Sequence, residues 1–388
     1  MSARKTARAK SDAGATALTG GLRPATIEEV CEAVRGNLHV LPIGGGTKSA
    51  LSAPPDGFVP LSLAGLSGVV EYHPEELVFT ALAGTTVADV DRVLGEHGQY
   101  LPFDPPFAER GATLGGTVAA GLSGPGRCRH GGVRDSILGV RFVSAAGEVV
   151  RGRGRVVKNA AGFDLPKLMV GSAGQLGVLV EMSFKVLPRP EAYSTLVVEC
   201  AGVDRALGGL ARLAALPVDI DALEIDARPA GVRLLLRLGG GAGSLPGRID
   251  RVRKELGGGD VLAGAHESAL WRDAREFGWV PDGWSLAKVP VTPSRIAALD
   301  ARLGPPQERL RRYGLRGQVA WIASPGPADE LDVTLGDLGL SGLAVLGPTG
   351  RRRLGARVGE TFERRVKGAL DPGGRFANLL DEAAEPAR

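Results

Sequence analysis

The chain has 388 residues, 44% hydrophobic and 23% charged, with a formal net charge of only +4. That length exceeds what one hydrophobic core usually serves, and the balance excludes wholesale disorder and gives no support to a nucleic-acid role. Cys31, Cys128 and Cys200 stand far apart with no CxxC pair, which argues against a disulfide framework, a zinc site or an iron–sulfur cluster on this chain.

Residues 1–20 scatter Arg4, Lys5, Arg8 and Lys10 among Ala, Ser and Thr and contain no signal-peptide core, so a disordered tail is expected. Thr26 followed by Glu29 is a capping pattern for a helix carrying Ile27, Val30, Cys31 and Val34 on one face, with Gly36 as its stop. The apolar run from His39 to Ile43 predicts a strand feeding directly into Gly44, Gly45, Gly46, Thr47, Lys48 and Ser49. A pair of strands is predicted at 69–72 and 77–81, then a helix capped by Thr86 and Asp89. The Pro-rich stretch 101–106 leads to the small-residue segment 111–121, too glycine-dense to build a core.

A hairpin is expected over 137–150 with Ala146 and Gly147 at the turn, and a short helix after residues 158–164. The glycine cluster 171–177 then opens a long strand that runs to Val186. Pro188 and Pro190 mark a boundary between a domain at 21–190 and a second at 191–388. In the second part, 196–198 and 232–236 read as strands, while 238–243 and 257–259 read as surface loops. No repeat with a solenoid period is visible. No stretch of about 18 apolar residues occurs, so no membrane span and a cytoplasmic location are expected.

A loop of successive small residues can turn several backbone N–H groups toward one point, which suits phosphate oxygens. Two phosphate motifs fail at 44–49. A P-loop needs a glycine before Lys48, where Thr47 stands, and a dinucleotide fingerprint needs a glycine at Ser49. One tight turn explains one glycine cluster, but three occur in order, at 44–46, 111–121 and 171–177. A long dinucleotide needs that arrangement, because its pyrophosphate, ribityl chain and ring each meet backbone at close range.

These segments resemble the PCMH-type flavoproteins of the vanillyl-alcohol oxidase superfamily. The match runs over about residues 25–190 through Pro42 to Lys48, Ala112 to Thr117, Gly131 to Gly139, Val157 to Leu165 and Gly171 to Val178. The nearest likeness within that superfamily is to the short E-subunit family of bacterial glycolate oxidases. The resemblance implies an α+β fold with an FAD-binding domain of two α/β subdomains and a smaller α+β cap, and leaves open whether the chain end returns to the first domain. It implies that Pro42, Ile43, Gly44, Gly45, Gly46, Thr47, Lys48 and Ser49 surround the pyrophosphate. Thr113, Gly115 and Gly116 would lie along the diphosphate or ribityl chain, Gly174, Leu176, Gly177 and Val178 would present backbone to the flavin, and Pro102, Asp104 and Pro105 would approach the cofactor.

The partners implied are a larger FAD-binding 2-hydroxy-acid dehydrogenase subunit and an iron–sulfur subunit, which could hold the chain at the inner membrane. The implied reaction is oxidation of glycolate to glyoxylate. The glycine loop carries no histidine, so the FAD is expected to be non-covalent, with Cys128 and His130 in packing or surface roles. Near the end, Ala377 separates Phe376 from Asn378, which departs from the family pattern.

Hydroxy-acid oxidation needs a base, a cation for the carboxylate and a flavin. Of the five histidines only His266 lies beyond residue 190, so no metal motif can be assembled and catalytic residues stay unassigned. Arg272, Arg275 and Lys288, interleaved with Trp271, Trp279 and Trp284, are the remaining candidates for a substrate pocket, set against core or interface roles for the tryptophans. An independent FAD oxidase or dehydrogenase using that segment, and a flavin-free scaffold, are the rival readings.

Overall fold

The computed structural model describes residues 21–152, 163–348 and 351–378. The expected tail at 1–20 and most of the likeness at Val157 to Leu165 lie outside the described residues. Thr26 accepts a hydrogen bond from the Glu29 N–H at 3.1 Å and the helix Ile27–Gly36 buries Val30, Cys31 and Val34, so local capping and periodicity set this element together. Strand β1 (Val40–Ile43) pairs in parallel with β2 (Val59–Ser62). Seven strands follow: β3 (Val69–His73), β4 (Val78–Leu82), β5 (Gln99–Tyr100), β6 (Ile137–Val143), β7 (Val149–Gly152), β8 (Val178–Lys185) and β9 (Leu187–Pro188). Five of them form an antiparallel sheet in the order β3-β4-β8-β6-β7, and β5 pairs with β9. Phe79, Phe142, Val180 and Phe184 fill the core between this sheet and its helices.

The rest of the chain builds one nine-stranded antiparallel sheet from β10 (Ala192–Cys200), β11 (Ala222–Arg228), β12 (Gly231–Gly240), β13 (Asp260–Ala263), β14 (Trp284–Pro290), β15 (Leu310–Gly314), β16 (Val319–Pro325), β17 (Ser341–Leu346) and β18 (Arg353–Gly355). The order β13-β10-β12-β11-β15-β16-β14-β17-β18 contains two βαββαβ units. In each, the two central strands of the sequence form a hairpin and the first and last pair beside it. The units join through β11 and β15, where Ile225 lies opposite Tyr313. This is a structural repeat, distinct from the solenoid periodicity sought in the sequence. One expectation changes: Leu238, Gly239 and Gly240 belong to β12, paired with Ser194, Tyr193 and Ala192. The glycine there is dictated by packing, since the Tyr193 ring occupies the space a side chain on Gly239 would need.

The pleat sends alternate residues to opposite faces. Leu223, Ile225, Leu234, Leu236, Ala287, Ile322 and Tyr313 meet the helices Val203–Ala214, Leu245–Leu256 and Pro293–Leu303 on one face. Leu286, Trp321 and Ala323 face the other way, onto Val87, Phe107, Ala112 and Leu122 of the N-terminal part. That second face is where the glycine loops meet the sheet. The chain end also closes on the first part: Phe376 bridges to Val40, and the Arg375 guanidinium donates to the carbonyls of Val34 and Asn37.

Beneath the edge of the large sheet, Glu267 is 1% exposed and accepts from Thr195 Oγ1 at 3.0 Å and from Arg237 Nε at 2.7 Å, while Trp271 Nε1 donates to Thr195 Oγ1. Removing this carboxylate leaves a mostly buried guanidinium unpaired. Glu267→Ala is expected to lower stability by about 3 kcal/mol, read as a drop in the denaturant midpoint. An unchanged midpoint would show that Arg237 finds equal compensation on the Tyr193 ring, 3.8 Å away.

Candidate functional site

Strand β1 buries Leu41 and Ile43 and stops at Gly44, because the next three residues are glycines with no side chains to pack. A Cβ on Gly45 would sit 1.9 Å from the Gly111 carbonyl oxygen, and one on Gly44 would sit 2.2 Å from Thr113 Oγ1. The first glycine cluster is therefore seated directly on the second. Thr113 caps the helix Leu114–Ala120 by accepting from the Gly116 N–H, and the Gly115 N–H donates to the Ala83 carbonyl at 2.8 Å. The third cluster docks on that helix's far end, where Gly171 N–H donates to Val118 and Ala173 N–H to Ala119. Three turns distant in sequence are thus held against one short helix.

Together they wall a cleft that opens to solvent. Pro42, Ile43, Gly44, Gly45, Gly46, Thr47, Lys48, Thr113, Gly115, Gly116, Gly174 and Gly177 line it. Four other sequence candidates lie elsewhere. The Ser49 hydroxyl exchanges hydrogen bonds with the Gly347 backbone, at 3.3 Å to its oxygen and 3.1 Å from its nitrogen. Leu176 and Val178 are packed in the core beside β8, because the strand alternation turns their side chains inward. Pro102 is buried under the 124–127 loop, where its carbonyl abuts Gly126. Sequence reasoning missed Leu51, Ser52, Leu63, Ala119, Ala120, Ala173 and Leu179 on the wall. Their smallness, at three alanines next to glycine clusters, was the available signal.

The cleft is built to receive negative charge. The backbone N–H groups from Gly44 through Lys48 donate no hydrogen bond to other described residues. Lys48 is 5% exposed, its ammonium donates to Thr47 Oγ1 at 3.1 Å and lies 5.5 Å from the Phe107 ring centre, and no described carboxylate pairs with it. Burial pushes its pKa down to about 8, only partly offset by Glu276. A buried cation without a counter-ion beside five free amides is a cradle for a phosphate group.

Arg272 and Arg275 of the Trp- and Arg-rich segment are engaged in ion pairs. Arg275 pairs with Asp104 at 3.6 Å and Glu276 at 3.2 Å, and Arg272 with Glu109 at 3.1 Å, so these cations tie the helix Gly264–Glu276 to the N-terminal part. Trp271 is core, and Trp279 and Trp284 pack against the interface cluster. His266 is exposed. Cys128 accepts a hydrogen bond from Arg316 and His130 lies 3.9 Å from Asp221. Among the described residues, no group of three or more His, Cys, Asp or Glu could hold a metal ion, and no helix is long and apolar enough to cross a membrane.

A family model described as an FAD binding domain matches residues 20–153. The glycolate oxidase subunit GlcE of Escherichia coli K12 is 36% identical over 308 residues, which cover 79% of this chain and 82% of that protein. The chain belongs to the GlcE family of PCMH-type FAD-binding proteins. A D-2-hydroxyglutarate dehydrogenase of Xanthomonas citri is 29% identical over 67% of this chain and 56% of its own length. The glycolate oxidase subunit GlcD of Bacillus subtilis is 29% identical over 49% of this chain, which spans only 40% of that subunit. A solved alkyldihydroxyacetonephosphate synthase superposes with a TM-score of 0.67, covering 91% of this chain and 74% of that one at 16% identity, a likeness of fold alone. The protein is thus an α+β member of an FAD-dependent oxidoreductase family. The residues present fit the cofactor: free amides and a buried ammonium meet an anion, and the Ala- and Gly-lined walls present backbone without bulky side chains.

Proposed function

We propose that this chain is the FAD-holding subunit of a complex that oxidises glycolate to glyoxylate, working beside a larger flavin subunit and an iron–sulfur subunit. One observation carries the cofactor assignment: five consecutive N–H groups, 44 to 48, without acceptors among the described residues. Bound FAD would supply a two-electron acceptor that can also pass electrons singly. The chain's own residues do the positioning. Gly44, Gly45, Gly46 and Thr47 would donate backbone hydrogen bonds to the diphosphate, Lys48 would supply the opposing charge, and Thr113, Gly115 and Gly116 would let the linker lie against backbone. Gly174 and Gly177 would give the flavin a wall without side chains. The apolar side chains of Leu51 and Leu63 on the wall would limit water around the ammonium.

The FAD is held without a covalent bond in this reading. The described residues that line the cleft include no histidine, cysteine or tyrosine. Acid precipitation of the purified protein is therefore expected to leave the yellow chromophore in the supernatant, and colour retained by the pellet would contradict it. The assignment to a complex is tested by anaerobic addition of glycolate. Flavin bleaching is expected when the two partner subunits are present, whereas bleaching at a comparable rate by the isolated chain would overturn the assignment to a complex.

A further inference from the structure

The two βαββαβ units of the large sheet match position by position on their helical side. The helix Val203–Ala214 of the first and Pro293–Leu303 of the second each follow a strand after a two-residue link. Each carries arginine as its third and tenth residue, Arg205 and Arg212 in one, Arg295 and Arg302 in the other. The next helix, Leu245–Leu256 or Asp329–Asp337, returns to a strand through three residues. In the second unit that return neutralises both arginines: Arg302 pairs with Asp337 at 2.7 Å, and Arg295 donates to the Leu338 carbonyl.

The first unit lacks every part of that closure. Leu256 ends its helix where Asp337 ends the other, and Gly257, Gly258 and Gly259 replace Leu338, Gly339 and Leu340. A carboxylate and two leucine side chains are gone, and a cleft of about 440 Å³ takes their place. Arg205, Arg212 and Arg253 line it, Arg212 half-buried and the other two exposed, and none meets a carboxylate within ion-pair distance among the described residues. Glu199 and Asp260 also line it, from the strands, but three cations against two carboxylates leave it net positive. Guanidinium groups gathered without counter-ions repel one another and are stabilised by an anion, and their planar forks match phosphate oxygens in pairs. Arg205 and Arg212 stand two helical turns apart, about 10.5 Å along the axis, so an extended anion suits them better than a compact one.

We propose that this cleft binds a small molecule carrying a diphosphate group. The two phosphates spread over Arg205 and Arg212, and Arg253 reaches them from the neighbouring helix. Val198, Leu234 and Leu256 give the rest of the molecule an apolar wall. The inference is independent of the flavin assignment, since this cleft shares no residue with the one at 44–48.

The test is calorimetric titration of the purified full-length protein, with its flavin bound, with inorganic pyrophosphate, and with orthophosphate as the second probe. One saturable pyrophosphate site is expected, weakened on the order of tenfold or more in Arg205→Gln and in Arg212→Gln. Arg302→Gln, at the matching position of the second unit, loses only its pair with Asp337 and is expected to bind as the parent does. Thermal midpoints confirm that each variant is folded. Absence of a saturable site, parental affinity in both the Arg205 and Arg212 variants, or orthophosphate binding at least as tight through the same residues would overturn the proposal. So would pyrophosphate binding that Lys48→Met removes and the arginine variants keep, because the anion would then lie in the cleft at 44–48. Binding through Arg205 and Arg212 by protein that cannot hold flavin would support this inference and count against the cofactor reading alone.

Discussion

Gly45→Ala is expected to cost the protein its flavin. The added methyl carbon would lie 1.9 Å from the Gly111 oxygen, a contact between two backbones that no side-chain rotation relieves. The loop 44–48 must then lift from the segment 111–116, and the amides on one side of the cleft lose their register with those on the other. Overpacking of this kind costs about 3 kcal/mol, roughly a hundredfold in FAD dissociation constant if most of it falls on the bound arrangement. The ratio of visible to ultraviolet absorbance after purification reads the outcome. Gly36→Ala, at a helix end where an added carbon meets nothing within 4 Å, is the matched control and is expected to retain flavin. Equal flavin content in both variants would show that the two glycine loops need not touch.

Lys48→Met is expected to weaken FAD binding by on the order of thirtyfold or more, because a charge-assisted contact to a phosphate is removed from a water-poor site. The pH dependence separates this from a packing defect. Folded Lys48 titrates near 8 instead of 10.5, so between those values the unfolded chain binds more protons than the flavin-free folded protein. Stability of the flavin-free protein therefore rises with pH across that window. Affinity for the anionic cofactor moves oppositely: above pH 8 the free site loses the proton that the bound state needs, and affinity falls by up to a factor of about ten per pH unit. Glu276 and Arg110, the other charges near the ammonium, set where the fall begins. In Lys48→Met that slope is expected to vanish, while in Lys48→Arg, whose side chain keeps its proton, affinity is expected to stay flat across the same range. A slope unchanged in the methionine variant would assign the titration to another group.

Much of the N-terminal part was legible because its signals are local. Thr26 and Thr86 cap the helices that their spacing to Glu29 and Asp89 announced, and the turn at Gly147 closes the predicted hairpin. The cleft was legible for a different reason. Glycine is the only residue that permits the approach of residue 45 to residue 111, so a close contact between distant segments leaves a compositional mark. Ala119 and Ala173 leave a weaker mark, since alanine is also an ordinary helix or turn residue, and they were missed.

The large sheet was not legible as a whole. Its two βαββαβ units are related by pairing between strands about 90 residues apart, as at Ile225 and Tyr313, and no residue type records such a pairing. The run Leu234, Leu235, Leu236 reads as a buried strand, but only the structure shows that Leu235 packs under Trp271 while its neighbours face the helices. The arginines at 272 and 275 look like pocket residues in sequence and prove to be interface ion pairs.

In the proposed function, separate small-residue turns offer their amides to one diphosphate. A crystal structure of the flavin-loaded protein tests it most directly. Phosphate oxygens are expected about 2.7–3.2 Å from amide nitrogens within the segment 44–48, with the Lys48 ammonium alongside. A diphosphate lying elsewhere, with those amides bonded to protein or water instead, would contradict the account.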